Sequence, residues 1–303
     1  DIMKNQKLVN STTSHIKDYG LITQTDSASQ IKACMPCHTR KTDILPKIND
    51  GEIDDNFIVQ NISNRFYHAD GQFNDEAFEL GSFLQSKMFH KGVVCSNCHN
   101  PHSGKLKAEG NNLCLQCHQS KYNNPEHYFH KPNTEASLCV NCHMTSKYYM
   151  VNHQRRDHSF RIPRPDQTVK FNTPNACNNC HNNKSPQWAA EFINKKFGSV
   201  RKYHFSDDLI PGSLLNAESE SHLIKLLNDS GQPYIARATA AYYLGNINSQ
   251  NAVNALVATL NDKYALVRYE SLRALANYDA SYWVNAVQPL LNDKSRSVRI
   301  AAA

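Results

Sequence analysis

No stretch of this 303-residue chain approaches the roughly 18 consecutive apolar residues of a bilayer-crossing helix, so none reads as a transmembrane segment. A charged-then-apolar leader is also missing after Asp1, and the chain is expected to be either a processed product or an internal piece. No cysteine stands outside a Cys-x-x-Cys pair, which leaves none for an isolated thiol. Neither sign of charge dominates, with 33 Lys and Arg against 27 Asp and Glu, so there is no strong case for a polyanion partner and nucleic acid is not expected. With 20 % charged and 40 % hydrophobic residues, disorder is not indicated, and the length suits about two domains.

What is present is five copies of one motif. Cys34-Met-Pro-Cys37-His38, Cys95-Ser-Asn-Cys98-His99, Cys114-Leu-Gln-Cys117-His118, Cys139-Val-Asn-Cys142-His143 and Cys177-Asn-Asn-Cys180-His181 use all ten cysteines. Cys-x-x-Cys-His is the attachment signal for c-type haem: two thiols bond the vinyl groups and the adjacent imidazole reaches the iron. A four-cysteine zinc site has no use for a histidine after every second cysteine. Five disulfides do not need one either. With 15 His in the chain, chance places one after all five pairs roughly once in several million sequences. The sequence therefore implies five haems c. Ten propionates and five ferric irons would bring the formal +6 to about +1 oxidised and about −4 reduced. Such attachment occurs outside the cytoplasmic membrane, so a periplasmic or extracellular location is expected.

The motifs occupy residues 34–181, about 30 residues per haem, in a segment rich in Asn, Lys, His and Pro with few helical or strand periodicities. So little chain is expected to fold around the macrocycles, which would supply most of its apolar core. The tight 95–143 cluster implies neighbouring haems close enough for direct electron exchange.

From about residue 221 a repeat begins. Ala236-Arg237, Val267-Arg268 and Val298-Arg299 recur every 31 residues, and Leu-Asn-Asp stands at 227–229, 260–262 and 291–293. Val267, Leu272 and Leu275 share a helical face, matched by Ala236, Ala241 and Leu244; Val253, Leu256 and Leu260 are matched by Val284, Val287 and Leu291. The pattern predicts an α-solenoid of helix pairs similar to HEAT repeats, with Pro289 out of place in its helix. The fold class is thus mainly α. A haem-packed, loop-rich cytochrome domain over 1–200 is followed by a linker at 201–220 and HEAT-like repeats over 221–303. The last repeat stops one turn into its first helix, so the native chain is expected to continue.

Several segments carry a family resemblance. They are Tyr67-His68-Ala-Asp-Gly71, Gly81-Ser-Phe-Leu-Gln-Ser-Lys-Met-Phe-His90 leading into Cys95-Ser-Asn-Cys-His-Asn-Pro-His102, Phe129-His130-Lys-Pro132, and Arg155-Arg-Asp-His158-Ser-Phe-Arg-Ile-Pro-Arg-Pro165. Over about residues 31–200 the chain resembles multihaem cytochromes distantly similar to cytochrome c nitrite reductases and hydroxylamine oxidoreductases. In that family a haem domain precedes HEAT or tetratricopeptide repeats. The resemblance implies electron transfer without naming a substrate. It also implies further motifs before Cys34, none of which is present.

Ten histidines remain after the five proximal ones, enough for a second imidazole on every iron. Position in the resembling segments selects His68, His90, His102, His130 and His158 as distal ligands. His127 rivals His130, and His15 and His153 stand in reserve. His90 and His102 lie too near Cys95 and His99 to close on that haem and suit a neighbour. His204 and His222 are expected to be solvated, and Met35, Met88 and Met144 to lie on porphyrin. Arg155, Arg156 and Tyr148 are candidate substrate groups in an enzyme reading, or propionate partners otherwise. No Cys-x-x-Cys-Lys motif supports the enzyme, so an electron conduit is preferred. Its partners would be other redox proteins or further copies of itself, docked through the repeats.

Overall fold

The computed structural model describes residues 27–45 and 52–303, and the protein is mainly helical with two short two-stranded sheets. The helices of the C-terminal part are Ser206–Ser213, Ser219–Asn228, Tyr234–Leu244, Gln250–Ala258, Ala265–Leu275, Val284–Val287 and Arg296–Ala302. Tyr234–Leu244 packs between Ser219–Asn228 and Ala265–Leu275, which in turn packs on Arg296–Ala302. Leu223, Leu226, Leu227, Leu244, Leu256 and Leu275 are fully buried. Each such side chain contributes about 1.5–3 kcal/mol relative to exposure.

The 31-residue arginine period has a physical cause. Arg237 donates from Nε to the Leu227 carbonyl at 2.9 Å and pairs with Asp262, while Arg268 forks onto Asp293 at 2.6 and 2.8 Å and reaches the Asp262 carbonyl at 2.7 Å. Each arginine thus ties the end of one helix to the Leu-Asn-Asp turn of the next unit. Both are only 4 % exposed, so these are buried, charge-assisted bonds, bidentate at Arg268. Pro289 also finds its place. The α-helix Val284–Val287 ends after one turn, and Gln288–Asn292 continues as a 3₁₀ helix with the proline at its start. A proline has no N–H for the α-helical ladder, so it sits where that ladder is already giving way.

Residues 95–188 are built differently. Their helices are mostly single turns, among them Cys95–Cys98, Asn112–Leu115, Pro125–Tyr128, Cys139–His143 and Ala176–Cys180. Strands Ser146–Tyr149 and His153–Arg156 form an antiparallel hairpin. Tyr149 and Pro165 are the only buried apolar side chains of this stretch. Asparagines hold the backbone instead. Asn97 Oδ1 accepts from the Val94 N–H, Asn124 from His127, Asn175 from Asn178 and Asn111 from Cys139. These local side-chain-to-backbone bonds explain why the segment is rich in Asn and poor in periodicity.

Two features add to what the sequence suggests. Residues 201–220 are more than a linker: they carry the helix Ser206–Ser213, with Phe205, Leu209 and Ile210 1 % exposed, tied to the haem segment by Arg164–Asp207 and Gln167–Ser206. The haem segment also contributes apolar side chains from before residue 95 to a core shared with the repeats. Ile31, Met35, Phe57, Ile62, Tyr67, Leu80 and Leu84 are buried in a cluster continuous with the repeat helices. Polar bonds cross this seam: Asn61 to Glu270 at 3.1 Å, the Ile62 N–H to Thr239 at 3.0 Å and the Asn64 N–H to Tyr243 at 3.0 Å. Gly81 is required here, because a Cβ would lie 2.1 Å from the Tyr67 hydroxyl.

Candidate haem-attachment site

One helical turn explains each motif. Backbone bonds run from the histidine N–H to the first cysteine carbonyl in His38, His99, His118 and His181, at 2.9–3.1 Å. Residues i, i+3 and i+4 of a turn lie on one face, so two thiols and an imidazole are presented together. No thiol is engaged in a disulfide.

The five motifs abut in the order of the sequence. Cys34 hydrogen-bonds Cys95, Cys98 faces Cys117, Cys114 hydrogen-bonds Cys139, and Cys142 faces Cys177. Helix Ser27–Cys34 also packs on Cys95–Cys98, and Cys139–His143 on Ala176–Cys180. Burial, followed by the neighbouring thiols, pushes Cys95 and Cys142 up to about 11.

Three pairs of imidazoles face one another across a gap. Ring centres are 6.5 Å apart for His99 and His158, 6.1 Å for His127 and His143, and 5.9 Å for His130 and His181. Two metal–imidazole bonds of about 2 Å, with about 1.1 Å more from nitrogen to ring centre on each side, put facing rings about 6 Å apart. The residues therefore fit a haem iron between each pair. Their tautomers fit as well. Nδ1 of His143 donates to the Arg161 carbonyl at 2.7 Å, Nδ1 of His158 to the Arg156 carbonyl at 2.9 Å, and Nδ1 of His130 to the Tyr128 carbonyl. A carbonyl only accepts, so the proton sits on Nδ1 and the Nε2 lone pair is left for a metal. Burial holds His158 and His127 below the ordinary histidine value, which favours the neutral, ligating form.

His127 and His130 stand against different imidazoles. Asn124 caps the turn Pro125–Tyr128, and Phe129 follows in the left-handed region at φ 59°. The chain reverses between the two histidines, so one faces His143 and the other His181. The i, i+3 spacing was visible, but a reversal at a phenylalanine carries no sequence signal.

The other selected histidines are placed less tellingly. His68 is half-buried beside Asp70, Lys147 and Asp157; His90 bonds the Leu84 carbonyl and faces Lys263; His102 is exposed on the 100–104 turn. Among the described residues none of these three is in ring contact with a motif histidine. His153 is exposed, and His15 lies outside the described residues.

One further expectation is corrected, at His204. His204 is not solvated: burial and then Arg161 drive it well below its usual value, and it bonds Ser206 at 2.7 Å. His222 is bonded to buried Asp208 at 2.7 Å. Met35 and Met88 join the protein's apolar cluster. Arg155 pairs with Glu76 at 3.3 Å, and Arg156 bonds the Met144 carbonyl and Asn141 at 3.0 Å each, whereas Tyr148 is exposed. These arginines already have protein partners.

The doubled CXXCH motif family matches residues 87–123, and the PBS lyase HEAT-like repeat matches residues 236–262. The first takes in the motifs of His99 and His118. The paired motif supports c-type haem binding there, and the HEAT-like repeat suggests protein interaction. No curated protein and no solved structure matches the chain. Among the described residues no helix is long and apolar enough to cross a membrane.

Proposed function

We propose that the chain is an electron conduit carrying five c-type haems in a row that follows the sequence, from His38 through His99, His118 and His143 to His181. The observation that carries this reading is the trio of imidazole pairs at 5.9–6.5 Å. His158, His127 and His130 serve as distal ligands to the haems of His99, His143 and His181. Two of His68, His90 and His102 remain as donors to the haems of His38 and His118. Bound haem supplies one-electron chemistry between ferric and ferrous iron. The chain's own part would be to offer imidazoles to each iron, to orient His38, His130, His143 and His158 through Nδ1, and to bring adjacent attachment points together. The helices from 219 onward form a HEAT-like solenoid that docks another redox protein or a further copy, in a periplasmic or extracellular setting.

One observation favours a second reading, a multihaem oxidoreductase distantly similar to nitrite or hydroxylamine enzymes. His118 is exposed and its ring neighbour is Tyr122, 6.4 Å away, rather than an imidazole. An exchangeable position would sit at that haem. Electron paramagnetic resonance on the oxidised, haem-loaded protein separates the two. The conduit gives low-spin signals throughout and no change with nitrite, hydroxylamine or, when reduced, carbon monoxide. A stoichiometric high-spin signal of about one haem in five that shifts with nitrite would establish the enzyme instead.

A further inference from the structure

The geometry points to Glu79 as a positioning residue that makes the His38 haem the low-potential end of the row, an inference that rests on the conduit reading. Glu79 Oε2 lies 3.0 Å from His38 Nδ1. The next residue grips the same motif, since the Leu80 N–H donates to the His38 carbonyl at 3.1 Å. Phe78, left-handed at φ 58°, delivers both at the start of helix Phe78–Phe83. Bulky residues rarely adopt that conformation, and here it brings the carboxylate to the imidazole.

His38 differs in this from the other ligands whose Nδ1 partner is placed. His130, His143 and His158 all donate to neutral backbone carbonyls. A carboxylate sharing the ring proton makes the imidazole a stronger donor and adds a negative charge that favours ferric over ferrous iron. Glu79 also faces His158, the partner of His99, so a second and smaller effect falls on that haem. Solvent moderates both, because the His38 side chain is 63 % exposed and that of Glu79 30 %.

The test uses the full haem-loaded chain and a spectroelectrochemical titration resolved into its components. Cys34→Ala with Cys37→Ala removes one haem, and the component lost should be the one of lowest potential. Glu79→Gln keeps an acceptor for the ring N–H but removes the charge. At fixed poise it should raise the ferrous-to-ferric ratio of that component about tenfold, a shift of about 59 mV for one electron. The His99 component should move less and the other three not at all. Glu79→Ala should move the first component at least as far. Loss of any component other than the lowest, or a Glu79→Gln titration that superimposes on that of the unsubstituted chain, overturns the proposal. An intact mass lacking a haem on Cys34 and Cys37 overturns it together with the five-haem row, and is read before any titration.

Discussion

Residues 219–302 bury Leu223, Leu226, Leu227, Ile235, Leu244, Leu256 and Leu275 completely, whereas residues 95–188, a stretch of similar length, bury only Tyr149 and Pro165 among apolar side chains. The first region carries its own hydrophobic stabilisation and a ladder of buried arginines. The second has asparagine-capped single turns, thiols in contact and imidazoles held about 6 Å apart. On the proposed reading, haem rather than side chains fills the interior of this framework. A helical repeat can be specified by apolar period alone. A haem framework has to be specified by polar groups that fix short turns without a core.

The comparison breaks most visibly if haem is withheld. In chain made without haem attachment, amide exchange in residues 95–188 should rise to the rate of unfolded chain while the helices from 219 to 275 keep their protection. Equal protection in both regions would show that residues 95–188 have a core of their own.

Next in size is the arginine ladder. Arg268→Ala leaves Asp293 largely buried without its partner and should destabilise the repeats by about 3–5 kcal/mol in denaturant titrations. The haem absorption spectrum should not change. A loss below about 1 kcal/mol would mean the pair is ornamental.

The seam between residues 61–64 and the repeats should respond to pH. Burial pushes Glu270 up to about 7 from an ordinary 4.5, against a smaller opposing effect of the Asn61 amide. The folded protein then binds more protons than the unfolded chain between these values, so stability falls as pH rises from about 4.5 to about 7. The effect is at most about 3 kcal/mol. Glu270→Gln should flatten that slope in thermal melts; an unchanged slope would remove Glu270 as its cause.

Smallest in stability, though sharpest in spectrum, are the two histidines of one turn. His127→Ala and His130→Ala should each create a single high-spin haem while shifting repeat stability by less than about 1 kcal/mol. If only one of them does so, the two do compete for one place after all.

Much of this was legible in the sequence because covalent chemistry and helical period both leave marks at fixed spacing. The five Cys-x-x-Cys-His motifs and the Arg237, Arg268 and Arg299 register are such marks. The joining of residues 57–66 to the repeats was not, because Asn61, Ile62 and Asn64 meet Glu270, Thr239 and Tyr243 across nearly 200 residues with no period to announce it. His204 misled for a related reason. Its position outside the motifs suggested solvent, yet Phe205 and Ser206 carry it inward with the helix they begin.

A density map of the haem-loaded protein tests the account most directly. It should place one iron between His99 and His158, one between His127 and His143, and one between His130 and His181, in a row that continues in sequence order. A map in which these irons take other distal donors, or in which the five haems depart from sequence order, would contradict it.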